Sequence, residues 1–277
     1  MGECPVCFEA YATTGHAARA RDARGQLGPA RVVQPEPQGL QVSAVQRRRL
    51  GRIMRCALAN AQACIEQTGI PDAIVVATGL GFIEATSRFA DSYLQQNEQL
   101  VSPTPFIQST FNMLGGQLAL TLGHRGPNYT LVEGFQSVPY ALQLAQVLLG
   151  DGAIHRVLVV FYDELSPQLE RILPTYGLGS AYGLGEGSGA FMLTDHPVGR
   201  VPISLREVQI GRCVAGGPGR PPCPLGYSSY GAQGVFEATG EFFTSSGYLV
   251  ASALREALHG VAIGTYDQGH YSYILLD

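Results

Sequence analysis

The sequence predicts an α/β fold built on a largely buried sheet, and three observations carry that prediction. Two short runs, Ala73–Thr78 and Arg156–Phe161, are almost continuously apolar and β-branched, as strands covered on both faces are. Segments with apolar residues at helical spacing alternate with such runs along the chain. Glycine and proline mark the joints between them. A chain of 277 residues with 45% hydrophobic content has room for one large domain or two small ones. Its folding would bury roughly three quarters of the unfolded surface.

The elements follow in order. Residues 1 to about 42 read as loosely built, because arginine, glycine and proline dominate from Ala17 to Gly39. A long helix is expected from the N-cap Ser43 towards Gln67, stopped by Thr68-Gly69-Ile70-Pro71. Its apolar positions Leu50, Ile53, Met54, Ala57, Leu58, Ala61 and Cys64 recur at helical spacing. The strand Ala73–Thr78 comes next, then helices over about Ile83–Gln95 and Leu114–Leu122. A strand at Tyr129–Val132, a helix from Ser137 to Leu149 and the strand Arg156–Phe161 continue the alternation. Beyond the glycine-rich stretch from Gly177 to Gly189, strands are expected at Ala190–Thr194 and near Ile203–Ile210. A Pro/Gly-rich loop over Gly216 to Gly234, a helix near Gly247–Leu258 and a strand at Tyr271–Leu276 close the chain.

Composition excludes several chemistries. A net charge of −4 argues against a nucleic-acid binder held by phosphate contacts. No stretch approaches the roughly 20 apolar residues of a membrane helix, so no membrane insertion is expected. Met-Gly-Glu-Cys-Pro at the start lacks the pattern of a secretory signal, and the expected compartment is the cytoplasm. All 18 basic residues are arginine, which excludes a Schiff-base lysine and a Walker-type phosphate loop. The six cysteines read as free thiols. Cys4 and Cys7 have metal-ligand spacing, but no matching second pair accompanies them, so neither a metal nor a cofactor is expected.

Three further features weigh functional against plain readings. Gly79-Leu80-Gly81 after a strand invites a dinucleotide-binding reading, yet Glu84 stands where the third glycine belongs and would repel a pyrophosphate. The glycines from Gly177 to Gly189 fit no phosphate-cradle spacing and read as turn and close-packing positions. Arg47, Arg48, Arg49, Arg52 and Arg55 read as a solvated helix face, or more sharply as a docking patch for an acidic partner.

The middle of the chain resembles a β-ketoacyl synthase. The residues that carry the resemblance are Ser102-Pro103-Thr104-Pro105-Phe106, Phe111-Asn112 and Gly116-Gln117-Leu118-Ala119, leading into Gly123-His124-Arg125-Gly126-Pro127-Asn128. Val157-Leu158-Val159-Val160 with Asp163-Glu164-Leu165-Ser166, and then Leu184-Gly185-Glu186-Gly187-Ser188-Gly189-Ala190, are similar to its downstream elements. The likeness covers about residues 70 to 195 and returns at Gly240-Glu241-Phe242-Phe243-Thr244-Ser245-Ser246-Gly247. It implies a thiolase-like layered fold (αβαβα) in a single domain over 1–277, with an N-terminal half at about 43–195 and a shortened C-terminal half at about 200–277.

That resemblance also implies what is missing. A decarboxylating condensation needs a cysteine thiolate to carry the acyl chain and two imidazoles to stabilise developing anions. Counted without gaps from Gly126-Pro127, the cysteine position holds Phe135, and the second imidazole position holds Glu241. The first imidazole lies in a His-Gly-Thr-Gly-Thr loop in the family, and no such string occurs here. Only 50 residues lie between Gly189 and Gly240, too few for that loop and its lid. No catalytic residue is therefore assigned. The chain is similar to the chain-length factors paired with active synthases in aryl polyene, flexirubin and dialkylresorcinol pathways. This implies a heterodimer with a catalytic ketosynthase, served by acyl carrier protein through that partner. Phe106, Phe111, Met113, Glu133, Phe135 and Gln136 would then line the interface and the elongation tunnel. Two alternatives stay open: an acyltransferase or hydrolase using Ser137, with His270 as a spatial neighbour, and a stand-alone acyl-binding homodimer.

Overall fold

A computed structural model describes residues 6–14, 31–95, 103–176, 183–196, 201, 203–212, 228–230, 243–267 and 270–277. The first strand, β1 (Val6–Thr13), corrects the expectation of a loose N-terminus. Phe8 is wholly buried in the core, and a register shift between Phe8 and Ala10 turns Glu9 towards the Arg156 guanidinium at 2.9 Å. Eight residues sufficed to place this strand centrally, because both of its neighbours come from far along the sequence.

A two-residue strand, β2 (Arg31–Val32), precedes the long helix, which is in fact two helices. Helix α1 (Ala44–Arg49) starts at Ser43 with a complete capping box to Gln46. The chain is extended at Leu50 and Gly51, and α2 (Arg52–Thr68) follows. The break buries Leu50, and the Arg55 guanidinium returns to the Leu50 carbonyl. Helical periodicity continues across the break, which is why the sequence shows one helix.

β3 (Ala73–Thr78) is buried at every position, and α3 (Ile83–Gln95) has the expected bounds. A short helix the sequence reading did not contain, α4 (Pro103–Ser109), comes before α5 (Met113–Leu122). Then follow β4 (Asn128–Val132), α6 (Ser137–Gly150) and β5 (Arg156–Asp163). The later elements are α7 (Pro167–Ile172), β6 (Leu184–Gly185), β7 (Gly187–Thr194), β8 (Ser204–Arg212), β9 (Ser228–Ser229), α8 (Ser245–Arg255), β10 (Val261–Asp267) and β11 (His270–Leu276). The helix expected to reach Leu258 stops earlier, at Arg255, and Ala257 with φ 49° and Gly260 with φ 65° lead the chain away. Helix α7 and strand β10 were not expected either, and β10 is paired along its whole length with β11.

Nine strands form one mixed sheet in the order β4-β3-β5-β7-β1-β8-β11-β10-β9. In its first half β3, β4 and β5 are parallel, while β7 opposes both β5 and β1. The second half repeats this plan: β11 opposes both β8 and β10, and β9 runs parallel to β10. The halves join where β1 meets β8. Helices α6 and α8 lie between them, sharing one core of Val138, Leu142, Val250 and Ala253 with Val75, Val159 and Phe161 on one side and Leu205, Ile263 and Ile274 on the other. The outer face of the first half, with Ile74, Val76, Leu158 and Met192, is covered by α2 and α5. Four of the five expected layers are thus formed by described residues. Ala262, Tyr273 and Leu275 cluster separately on the far face of the second half. Among the described residues no helix is long and apolar enough to cross a membrane.

Candidate functional site

The carboxyl ends of β3, β4 and β5 meet the start of α8, and the residues standing there are apolar. β4 runs into a turn through Gly134, where φ is 54°, and one helical turn of 3-10 type carries Phe135 into place before α6 begins. The Phe135 ring lies edge-on to Phe243, with centroids 4.8 Å apart. Leu165, Leu169 and Leu173 pack around Phe243, with Leu80, Ile83, Phe135 and Leu184 completing the cluster. Gly79 makes this approach possible, since a Cβ there would lie 2.3 Å from the Cβ of Phe243. Gly81, with φ 72°, receives the Phe111 ring in the same way. The Gly-x-Gly pair is thus a packing device for two phenylalanines.

A buried carboxylate ties this cluster together. Asp163 Oδ1 accepts from the Gly79 N–H at 2.8 Å and from the Thr78 hydroxyl at 3.2 Å, and Oδ2 accepts from the Thr244 N–H at 2.7 Å. Burial pushes the acid up to about 6, against the pull of these donors. Its half-buried neighbour Glu164 accepts from the Glu84 N–H at 2.6 Å and is pushed up to about 7 by desolvation. Asp163 thereby fixes the 243–244 backbone to the ends of β3 and β5, and holds the Phe243 ring over Phe135.

Ser137 is fully buried and committed to structure. Its Oγ accepts from the Glu133 N–H at 2.8 Å and lies 2.8 Å from both the Thr78 and Gly134 carbonyls. One hydroxyl proton shared between two carbonyls leaves no lone role for a base, and none of these partners is an imidazole. His270 starts β11, opposite Arg212 and Asp267 in the ladder. The Cys56 and Cys64 thiols are each pushed up to about 12 by burial, so neither is a thiolate near neutral pH. Glu241, Cys4, Cys213 and Cys223 lie outside the described residues.

The remaining sequence-predicted positions divide into two groups. Phe106 and Phe111 are exposed, at 54% and 51%, next to the equally exposed Ile107. Glu133 is also exposed, next to the end of β4, which is one edge of the sheet among the described residues. Met113 instead packs half-buried against the α2–α5 core. Gln136 is buried, accepting from the Thr265 hydroxyl at 3.3 Å, while its Nε2 is buried without a hydrogen-bond partner. α5 is set against the edge strand by Gly115, whose carbonyl accepts from the Asn128 amide at 2.8 Å.

Sequence reasoning passed over the arginine that matters most. Arg52 turns inward to the wholly buried Glu186 in a bidentate ion pair, Nη2 to Oε2 at 2.8 Å, and Glu186 also accepts from the Gln34 and Leu165 N–H groups. Arg55 pairs with Glu36, which also lies 3.9 Å from Arg47, so three of the five clustered arginines have acidic partners within the chain. The central position of Glu186 in the glycine-rich stretch was the available signal.

The model of the β-ketoacyl synthase N-terminal domain matches residues 22–184, more than half of the chain. This chain belongs to the β-ketoacyl synthase family. Solved structures agree on the fold. The chain is similar to the ishigamide ketosynthase/chain length factor, at TM-score 0.74 and 17% identity, covering 98% of this chain and 99% of that one. It is also similar to the ketosynthase ApeO in complex with its chain length factor ApeC from Xenorhabdus doucetiae, at TM-score 0.61 and 14% identity, covering 97% and 98%. A third likeness is to AntDE:AntF, a type II polyketide acyl-carrier protein in complex with its ketosynthase bound to the hexaketide. There the TM-score is 0.68 at 12% identity, covering 98% and 99%. At these identities the likeness shows the thiolase-like ketosynthase fold. A comparison with curated protein sequences yields no match.

Proposed function

We propose that the chain is a single-domain, non-catalytic chain-length-factor subunit that pairs with an active β-ketoacyl-carrier-protein synthase and shapes its elongation tunnel. The observation that carries this reading is Phe135, packed edge-on against Phe243 where the family resemblance would put a nucleophile. An aromatic ring offers no nucleophilic atom to carry a thioester. Strand β4, an edge of the sheet among the described residues with Tyr129 exposed at 44%, supports the pairing half of the proposal, since an open edge next to exposed aromatics favours a partner strand. Phe106 and Phe111, both exposed, would form part of the wall that a growing acyl chain meets. Carrier protein would deliver substrate to the partner, and the pair would work in the cytoplasm on polyene or polyketide chains of the aryl polyene type.

The test is co-expression with a ketosynthase encoded beside this chain, followed by size-exclusion chromatography and malonyl-dependent elongation. A one-to-one complex, active only while the ketosynthase keeps its cysteine, is expected. It would bury at least about 2,000 Å². Elongation or thioester hydrolysis by this chain alone would sink the proposal. A stable homodimer that ignores the ketosynthase would favour an acyl-binding protein instead.

A further inference from the structure

At the opposite end of β5 from the Phe135 cluster, about 25 Å away by strand length, three metal-ligating side chains converge. His155 precedes β5, and Asp195 and His196 follow β7. The antiparallel ladder pairs Arg156 with Thr194, so the next step of the register sets His155 opposite Asp195. His155 Nδ1 is 2.8 Å from Asp195 Oδ2, and His196 Nδ1 is 3.6 Å from Asp195 Oδ1. The two imidazoles are stacked with centroids 5.2 Å apart, and one ligand atom from each of the three residues lies within 4.8 Å of the others.

We propose that His155, Asp195 and His196 bind a divalent transition-metal ion of the zinc class. Ligands at about 2.0–2.1 Å in a tetrahedron sit roughly 3.3 Å from one another. His155 and His196 approach different oxygens of Asp195, at 2.8 and 3.6 Å, and the three ligand atoms lie within 4.8 Å of one another, so side-chain shifts of up to about 1.5 Å bring them to that edge. The imidazole side chains are 52% and 68% exposed, which leaves them free to make that shift and leaves a fourth position to water.

The backbone beneath the ligands is already fixed. Asp72 Oδ2 accepts from the N–H groups of both His155 and Arg156, at 3.0 and 2.9 Å, and the His196 N–H donates to the Thr194 hydroxyl at 3.1 Å. Arg156, next to His155 in the chain, is held by Glu9 on the neighbouring strand β1. Two neutral imidazoles and one carboxylate form a donor set suited to zinc, cobalt or nickel and poorly suited to magnesium or calcium. The bound ion would staple β5 to β7 without touching the Phe135 region.

The test is titration of the full-length chain with Co²⁺ and with Zn²⁺, read by absorbance and by calorimetry. One equivalent is expected to bind, with a visible d–d spectrum and no thiolate-to-cobalt charge-transfer band. His155→Gln and Asp195→Asn, both at the surface, should each weaken binding by roughly a hundredfold through loss of one of three protein ligands. Zn²⁺ should also raise the unfolding temperature of the wild type and leave both variants unmoved. Absence of saturable binding, binding unchanged in both variants, or a charge-transfer band that places the ion on cysteine would each overturn the site.

Discussion

Truncating Phe135 to alanine tests the packing proposed to stand in place of a nucleophile. The ring is half-buried within the Leu165–Leu169–Leu173 cluster and meets the Phe243 edge at 4.8 Å. Full burial would make Phe→Ala cost about 3–5 kcal/mol, and half burial scales this to roughly 2 kcal/mol. The edge-to-face contact adds about 0.5–1.5 kcal/mol. A double-mutant cycle with Phe243→Ala isolates that last contribution, because the two rings touch each other directly. The expected coupling is about 1 kcal/mol, measured by denaturant unfolding of the purified chain. In the assembled pair, the void left by Phe135→Ala should lengthen or broaden the products, read by mass spectrometry of released acyl chains. Additive single-mutant effects together with unchanged products would refute both the plug and its place at the tunnel's end.

Other consequences are open to measurement. Ser137→Ala should cost about 1–3 kcal/mol by leaving the Glu133 N–H unsatisfied, yet keep elongation by the folded pair; lost activity with an intact fold would revive a serine nucleophile. Arg52→Ala strands the buried Glu186 charge and should destabilise by about 3–5 kcal/mol in thermal unfolding. Gly79→Ala drives a methyl into Phe243 and should cost about 1–3 kcal/mol, with near-UV signals of the cluster perturbed. Stability should also fall as pH rises. Asp163 titrates at about 6 in the fold against 3.8 when unfolded, and Glu164 at about 7 against 4.5, so the folded state holds these protons more tightly. Stability is then greatest below the unfolded values and is lost through pH 4 to 7, by on the order of 3 kcal/mol for Asp163. Denaturation midpoints between pH 5 and 8 check the slope, and a rise over that range would contradict it.

The sequence determined the parallel half of the sheet because its strands are apolar on both faces: Ala73, Val75 and Ala77 face the central core while Ile74 and Val76 face α2. Such runs need no knowledge of their neighbours to be read. Helix α3 was legible to the residue for a similar local reason, its amphipathic spacing. The resemblance and a gapless count from Gly126-Pro127 singled out Phe135, and the structure packs that ring against Phe243. The sequence could also state that no lysine serves any site.

Only the tertiary structure decided the rest, wherever partners are distant in the chain. β1 is central because β7 and β8, nearly 200 residues away, flank it, and eight residues of mixed composition carry no mark of that. The division of one periodic helix at Gly51 follows from Arg52 reaching Glu186 and Leu50 entering the core. Asp163 owes its role to backbone N–H groups from Gly79 and Thr244, donors that every residue carries and no residue type announces. Likewise His155 meets Asp195 and His196 only because two strands pair in one register. Local pattern fixes which segments bury which faces; the contacts that give a buried charge or a surface cluster its chemistry are set when the chain closes on itself.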